Sequence, residues 1–578
     1  MKNVTYLQLK KNTKEDASAL KGVRFALLGD CATQHIATAI QGYAYEEGER
    51  FEMFEADYDQ IDAQLMDSES ELFVFQPEFV LLYKCTEKLY ERFVRTSPSD
   101  RNGFADREAA KIRADWERVN AHAKADILSF LFLPMDDGVF GSYAYREESS
   151  FLYQLTKLNY LVVEMAREFG NVRLLDLSPI RTRMGGEIFK DAKMYAIAKM
   201  PISTQALPAV AAVVVEAVKA RQGRIHKCAV LDLDNTLWGG VIGDDGLEGI
   251  QIGDLKQGHA FTDFQIWLKE LKNRGIMLAV CSKNDEKNAR EPFERHPDMV
   301  LRMEDFSAFA ANWADKASNI RRIQKELNIG LDSMVFFDDN PFERNLVRTM
   351  LPEVEVPELP EDPAEYVQFA RAQNLFDTAS FSDEDRVRTE RYRAEKSRVE
   401  LSASMEDYDE YLKALEMKAV CAPFDAFHIP RVAQLTQRSN QFNLRTVRYT
   451  DAEVAKIAAD DRFITRYYTL KDRFGEHGLI AVVILEKKEN CLFVNEWLMS
   501  CRVLKRGMEQ FIADSIVKVA RKEGVRRVVG EYIETAKNAM VKDLYAKMGF
   551  KPLGDGKFEA DAETYQLHET YIAEEDAK

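Results

Sequence analysis

Short apolar runs that break off at Gly, Asp or Ser alternate along this chain with longer stretches of helical periodicity. Residues 23–30 read as an apolar strand ending at the Gly29-Asp30 turn, followed by a helix over 32–45 and a second strand over 79–83. Helices over 108–128 and 151–169 precede a further strand at 172–177. Strands and helices in alternation predict a parallel, three-layer α/β domain, placed at residues 1–222.

The pattern then changes. Residues 227–232, 276–282 and 333–338 are unbroken apolar runs, each closing on Asp or Ser, with helical periodicity over 261–274 and 317–327 between them. Unbroken runs mark strands buried on both faces, so a doubly wound, Rossmann-like parallel sheet is expected over 223–380, with its ligand side just beyond the strand ends. From Pro352 the composition turns to Pro, Glu, Asp and Arg, and 381–402 reads as a connector. Residues 403–578 mix helices with alternating strands, such as 480–486 and 492–497, and read as an α+β domain.

Composition sharpens this picture without redirecting it. A chain of 578 residues exceeds what one core serves, which favours the three domains already outlined. The opening residues lack the apolar core of a secretory signal, and no apolar run approaches the ~20 residues that span a bilayer, so a cytoplasmic protein with no membrane partner is expected. A net charge of -17 argues against nucleic acid as a main partner. The seven cysteines are scattered without a CxxC pair, as free thiols of a reducing compartment would be.

The chemistry gathers in the second domain. Asp232-Leu-Asp234-Asn-Thr236 follows directly on its first apolar run. Residues two apart in extended backbone point the same way, so both carboxylates converge. Neighbouring carboxylates repel unless a proton or a cation relieves them, and Mg²⁺ suits oxygen donors. Ser282, Lys316 and Asp338-Asp339-Asn340 then follow in order, at strand ends or a helix start. A phosphoryl group spreads charge over its oxygens, so its transfer needs a cation, a hydroxyl or amide donor and a Lys or Arg. Asp and Ser are ordinary caps and Lys an ordinary helix residue; the specificity lies in their order.

These motifs, DLDNT, SKND, ADKASN and FFDDNPFER, resemble those of the haloacid-dehalogenase (HAD) superfamily. The resemblance implies that Asp232 is a nucleophile forming an aspartyl-phosphate and Asp234 the general acid and then base. Ser282 and Lys316 would hold the phosphoryl oxygens, with Thr236, Asn284 and Asn340 lining the substrate. Asp232, Asp234 through its carbonyl, Asp338 and Asp339 would surround Mg²⁺, the direct ligand among the last two being left open. The longer stretch LDLDNTLWGGVIGDDGLEGIQIG is similar to the FkbH-like branch, of the HAD-IIIC phosphatase type. That branch is associated with loading a glyceryl unit from 1,3-bisphosphoglycerate onto an acyl carrier protein. The implied function is thus removal of phosphate from a small phosphorylated metabolite coupled to acyl transfer to a carrier thiol. Cys281, beside Ser282, is a candidate to hold the acyl group, although strand alternation places the two on opposite faces.

The flanking domains carry weaker signals. QLTQRSNQFN, DRFGEHG and SCRVLKRG resemble the carboxy-terminal part of FkbH-like proteins, which is similar to GNAT acyltransferases. Arg502, Arg506 and Gly507, entering a helix at Met508, then become candidates for coenzyme A (or acyl-CoA) or a phosphopantetheine arm, or neither, and Cys501 a second thiol. Leu27-Leu-Gly-Asp-Cys31 resembles the opening block of SGNH hydrolases with Cys in the nucleophile place, but Asp176-Leu-Ser-Pro179 lacks the histidine of a triad, so a degenerate SGNH-like, flavodoxin-like domain is expected. The rival readings are a phosphatase fused to an acetyl-CoA-dependent N-acetyltransferase acting on a small metabolite or sugar-phosphate, and a non-catalytic scaffold.

Overall fold

The structure, a computed structural model, describes residues 4–16, 19–20, 22–378, 398, 401, 405, 407–439, 441–500, 503–535 and 538–576. The chain divides into two compact units, residues 1–225 with 368–379, and residues 226–367 with 380–578. Most of the expected connector, together with Cys501 and Arg502, lies outside the described residues. Among the described residues no helix is long and apolar enough to cross a membrane.

In the first unit, strands β1 (Gly22–Gly29), β2 (Arg50–Glu55), β3 (Phe79–Tyr83), β4 (Asp126–Phe130) and β5 (Val172–Leu175) form a parallel sheet in the order β2-β1-β3-β4-β5. Alternation along β1 sends Phe25 and Leu27 into one buried layer, with Ile40 and Val214, and Ala26 and Leu28 into the other, with Phe93 and Trp116. Such a sheet needs helices on both faces, which gives the three layers expected. The strand order reverses beside β1, so the ends of β1 and β3 form the crevice where doubly wound sheets bind ligands. The end of the expected second domain belongs here instead. Residues 368–379 join this unit, and Asp377 pairs with Arg173 of β5 at 2.6 Å.

The second unit contains two sheets. Strands β6 (Cys228–Leu231), β7 (Met277–Ser282), β8 (Phe306–Ala311) and β9 (Met334–Phe337) are parallel in the order β8-β7-β6-β9. Every residue of β6, β7 and β9 is buried, as their unbroken apolar character requires. The order reverses between β6 and β9, and that point carries the carboxylates described below.

The remaining strands are β10 (Met417–Ala422), β11 (Phe463–Asp472), β12 (Gly475–Lys488), β13 (Cys491–Met499), β14 (Arg527–Glu531), β15 (Lys551–Gly554), β16 (Lys557–Asp561) and β17 (Ile572–Glu575). They form a mixed sheet in the order β15-β16-β14-β13-β12-β11-β10-β17. Tyr468, Val483 and Leu485 pack towards the helix Met508–Lys522, whereas Tyr467, Val482 and Ile484 pack towards the helix Ile429–Arg438. β13 and β14 run parallel and pair over residues 492–494 and 528–530. Beyond that point residues 442–444 are wedged between them: Leu444 N donates to Trp497 O at 3.2 Å and Met499 N to Phe442 O at 3.0 Å, while Ile533 N donates to Leu444 O at 2.9 Å. Buried Asn538 fastens the wedge by donating to Asn443 O.

Candidate active site

The turn after β6 sets up the site. Leu233 is fully buried, Thr236 N and Leu237 N both donate to its carbonyl, and Asn235 takes a left-handed conformation, φ 54°. This tight turn presents Asp232 and Asp234 beyond the strand end. Asp232 N donates to Phe337 O of β9 at 2.9 Å, which brings Asp232 beside Asp338 and Asp339. One carboxylate oxygen from each of Asp232, Asp338 and Asp339 lies within 4.8 Å of the others.

Lys316 reaches into this cluster. Asp315 caps the helix Lys316–Leu327 by accepting from Ser318 N at 2.8 Å, which fixes Lys316 as the first helical residue. Its ammonium is buried, 2.9 Å from Asp232 Oδ1 and in contact with Asp338 Oδ2. The contact with Asp232 is an ion pair without the direction of a hydrogen bond, so Asp232 Oδ1 is buried with no true donor. Burial, followed by the Asp232 charge, pushes the Asp338 carboxyl up to about 7. Burial likewise raises Asp339 and Asp234. One lysine does not balance three crowded carboxylates, and an all-oxygen donor set of this kind fits a hard divalent cation.

Around this centre, Asp234 is held by three donors: Trp238 Nε1 at 2.9 Å, Ile242 N at 3.0 Å and Asn284 Nδ2 at 3.0 Å. Asn284, expected to line the substrate, therefore orients Asp234. Thr236 Oγ1 accepts from Asp339 N at 3.1 Å, and Asn340 caps the helix Pro341–Met350 by accepting from Phe342 N. Ser282 ends β7, buried at the same edge of the sheet. Arg344 escaped the sequence reading. Its Nη1 donates to both Asp338 O and Asp339 O, at 2.8 and 2.7 Å, and so clamps the loop that carries the two carboxylates. The motif FFDDNPFER contains this arginine, one turn into the helix.

The Gly-rich stretch after the first motif forms a small flap over residues 239–251, closed by mutual backbone bonds between Gly239 and Gln251. Gly240 sits at φ +90°, and a Cβ there would lie 2.6 Å from Asp245 Oδ2, so the turn tolerates glycine alone. Trp313, on the loop before Lys316, and Phe342, in the first turn of the helix after Asn340, are 77% and 69% exposed.

Two expectations need correction. Cys281 is fully buried in the core beneath the sheet, its thiol against Lys316 O at 3.6 Å, and burial raises its pKa. A thiol without surface does not carry an acyl group. Arg506, expected to meet a cofactor phosphate, is buried with its guanidinium turned inwards, 3.3 Å from His477 Nε2 and 3.9 Å from Asp472 Oδ2. Gly507 does cap the helix Met508–Lys522 at φ 88°, but Glu509 in its first turn already accepts from Lys505 N, which places a carboxylate where an anion would bind. Arg502 lies outside the described residues.

Comparison with known proteins gives three findings. The family described as FkbH, N-terminal domain, matches residues 24–219. The N-terminal part of a Bacteroides fragilis protein, containing a phosphatase domain and solved in complex with Mg, is 45% identical; the match covers 65% of this chain and 100% of that one, with a TM-score of 0.63. Two acetyltransferases show slight likeness that assigns nothing: the ribosomal-protein-S18-alanine N-acetyltransferase of Escherichia coli (16% identity, 24% of this chain and 90% of that one, TM-score 0.19) and the spermidine N-acetyltransferase of Vibrio cholerae (10% identity, 26% and 98%, TM-score 0.21). No curated protein matches.

Proposed function

Because the chain belongs to the FkbH-like family of phosphatase-domain proteins, we propose that it is a Mg²⁺-dependent HAD-type phosphatase working through an aspartyl-phosphate on Asp232. The observation that carries this reading is the convergence of Asp232, Asp338 and Asp339 within 4.8 Å at the point where the strand order reverses, with Lys316 reaching two of them. Asp232, Asp338 and Asp339 would hold Mg²⁺, which when bound neutralises charge on the phosphoryl oxygens and lets the three carboxylates stand together.

The residues divide the work. One Asp232 oxygen attacks phosphorus, and the bond to the leaving oxygen breaks as Asp234 gives that oxygen its proton. Asp234, now a carboxylate, takes a proton from a water, whose oxygen attacks the aspartyl-phosphate and releases inorganic phosphate. Trp238, Ile242 N and Asn284 hold Asp234 for both steps. Lys316 and Ser282 would receive the phosphoryl oxygens, and Arg344 keeps the Asp338-Asp339 loop in place. In the finer reading, phosphate release accompanies transfer of a three-carbon acyl unit to the thiol of an acyl carrier protein. With Cys281 buried, the accepting thiol of that reaction comes from outside this site.

The test is acid quenching of the full chain during turnover of acetyl phosphate or 1,3-bisphosphoglycerate with Mg²⁺, followed by mass mapping. A phosphoryl group should appear on Asp232, and Asp232→Asn should abolish phosphate release. Turnover at near the native rate in that variant would refute the assignment. Including a carrier protein and following its mass tests the acyl step separately.

A further inference from the structure

The first unit has a polar cluster of its own, at the crevice beyond β1 and β3. Asp30 and Cys31 follow β1, and Cys85 follows β3, immediately before the helix Thr86–Arg95. The Asp30 carboxylate and the two sulfurs offer one donor atom each within 4.8 Å of one another. Asp30, Cys31 and Cys85 are 4%, 1% and 2% exposed. The proposed phosphatase chemistry uses none of them.

The cluster is set up for a ligand it does not supply. Asp30 Oδ1 accepts from Cys85 N at 2.8 Å, which locks the carboxylate against the second cysteine. Asp30 Oδ2 is buried and receives no hydrogen bond. Arg92 forms an ion pair with Asp30 Oδ2 at 3.5 Å without a hydrogen bond and is shared with Glu108 at 3.1 Å, while Lys84 is committed to Asp115. A buried carboxylate oxygen without a hydrogen-bond donor is costly, more so when charged, and its position points to a partner. The two sulfurs face each other as free thiols: their mutual contact raises Cys31 while lowering Cys85, and burial and the Asp30 charge raise both.

We propose that Asp30, Cys31 and Cys85 form a Zn²⁺ site. Tetrahedral Zn²⁺ with Zn–S of about 2.3 Å places its donor atoms about 3.7 Å apart, inside the spacing seen here. Two thiolates and one carboxylate carry one charge more than Zn²⁺ neutralises, and Arg92 beside Asp30 supplies the compensating positive charge. A cavity of about 50 Å³ opens on Cys85 and Tyr83. It has room for a water as the fourth ligand, which needs at least about 10–15 Å³ of such space. Three protein ligands with an open position is the arrangement of reactive rather than structural zinc. Binding converts two thiols to thiolates and releases their two protons to solvent.

The test uses the full chain, purified reduced and without chelator. It should contain one equivalent of zinc. After stripping, Co²⁺ should raise a thiolate-to-cobalt charge-transfer band that saturates at one equivalent, and Zn²⁺ should release two protons. The Asp232 cluster has only oxygen donors, so Co²⁺ bound there gives no such band. Cys31→Ser and Cys85→Ser should each abolish the band, and Asp30→Asn should weaken Zn²⁺ by at least about tenfold. Should the serine variants misfold, the native chain still decides: an organomercurial should release zinc as two thiols react. Absence of zinc, of the band and of proton release in the folded native chain overturns the proposal. So does zinc retained by a folded Cys31→Ser variant, or a Cys31–Cys85 disulfide in the reduced preparation.

Discussion

Replacing Lys316 with Met removes one charge while keeping most of the apolar stem, and the site should respond as an electrostatic unit. Lys316 is 3% exposed, and its partners Asp232 and Asp338 are 7% and 0% exposed. Removing one member of such a buried pair leaves the other uncompensated, at a cost of about 3–5 kcal/mol. At about 2–4 °C per kcal/mol for a domain of this size, the phosphatase domain should melt roughly 10 °C lower by differential scanning calorimetry in chelator at pH 8. The sign with pH follows from Asp338. Its carboxyl is pushed up to about 7 in the native chain even with Lys316 lowering it, so in the variant it takes a proton at a higher pH still, and the uncompensated charge and the deficit shrink as pH falls. Excess Mg²⁺ should restore much of the melting temperature, because the carboxylates regain a cation, but not turnover, because the phosphoryl oxygens lose theirs. A Lys316→Met chain melting within about 2 °C of the native one in chelator at pH 8 would refute the charge-balance reasoning.

Three further outcomes follow. Protons and Mg²⁺ compete for Asp338, so Mg²⁺ affinity measured calorimetrically should fall as pH drops below about 7 and level off above it. Asp472→Ala should destabilise the β10–β17 sheet by about 3–5 kcal/mol in urea unfolding, since it removes the buried carboxylate that meets Arg398 Nε at 2.6 Å and His477 Nε2 at 2.9 Å, while phosphate release stays unchanged. Glu496 on β13 is fully buried with Oε1 unpaired, and burial pushes its carboxyl up to about 8. Its raised value favours folding at low pH, and that contribution is lost as pH rises from about 4 to about 8. Glu496→Gln should flatten that part of the stability profile; an unchanged slope would speak against the burial of that group.

The carboxylate cluster was legible in the sequence because its groups sit at strand ends, where a contiguous motif and a point in space coincide. Asp232, Lys316 and Asp338 meet as the order of motifs implies. The supporting residues were hidden for other reasons: Asn284 meets Asp234 only once separate loops close on one another, and Arg344 meets the Asp338 carbonyl only because the helix that follows turns its side chain back. Strands were lost where composition argues for something else. β8, Phe-Ser-Ala-Phe-Ala-Ala, sets its two phenylalanines among small residues with little strand character; β2 at a sheet edge is only half buried; and β4 was absorbed into the helix expected to end at 128. Arg506 misled because an arginine before a helix reads as an anion ligand, whereas Asp472 and His477, on the hairpin opposite, draw it inwards.

The wedge at residues 442–444 gives the β10–β17 sheet a particular assembly order. Hairpins such as β11–β12 and β12–β13 close locally and register themselves. The gap between β13 and β14 closes by recruiting a segment from the far side of two strands, with Asn538, still later in the chain, as its latch. Such distant closure carries more loop entropy than the hairpins and comes later than they do. A ribosome-bound chain that ends before Asn538 would therefore hold a sheet whose middle is still unzipped, and the amides of Leu444 and Met499 are the natural reporters, in pulsed hydrogen exchange, of the moment the domain becomes whole.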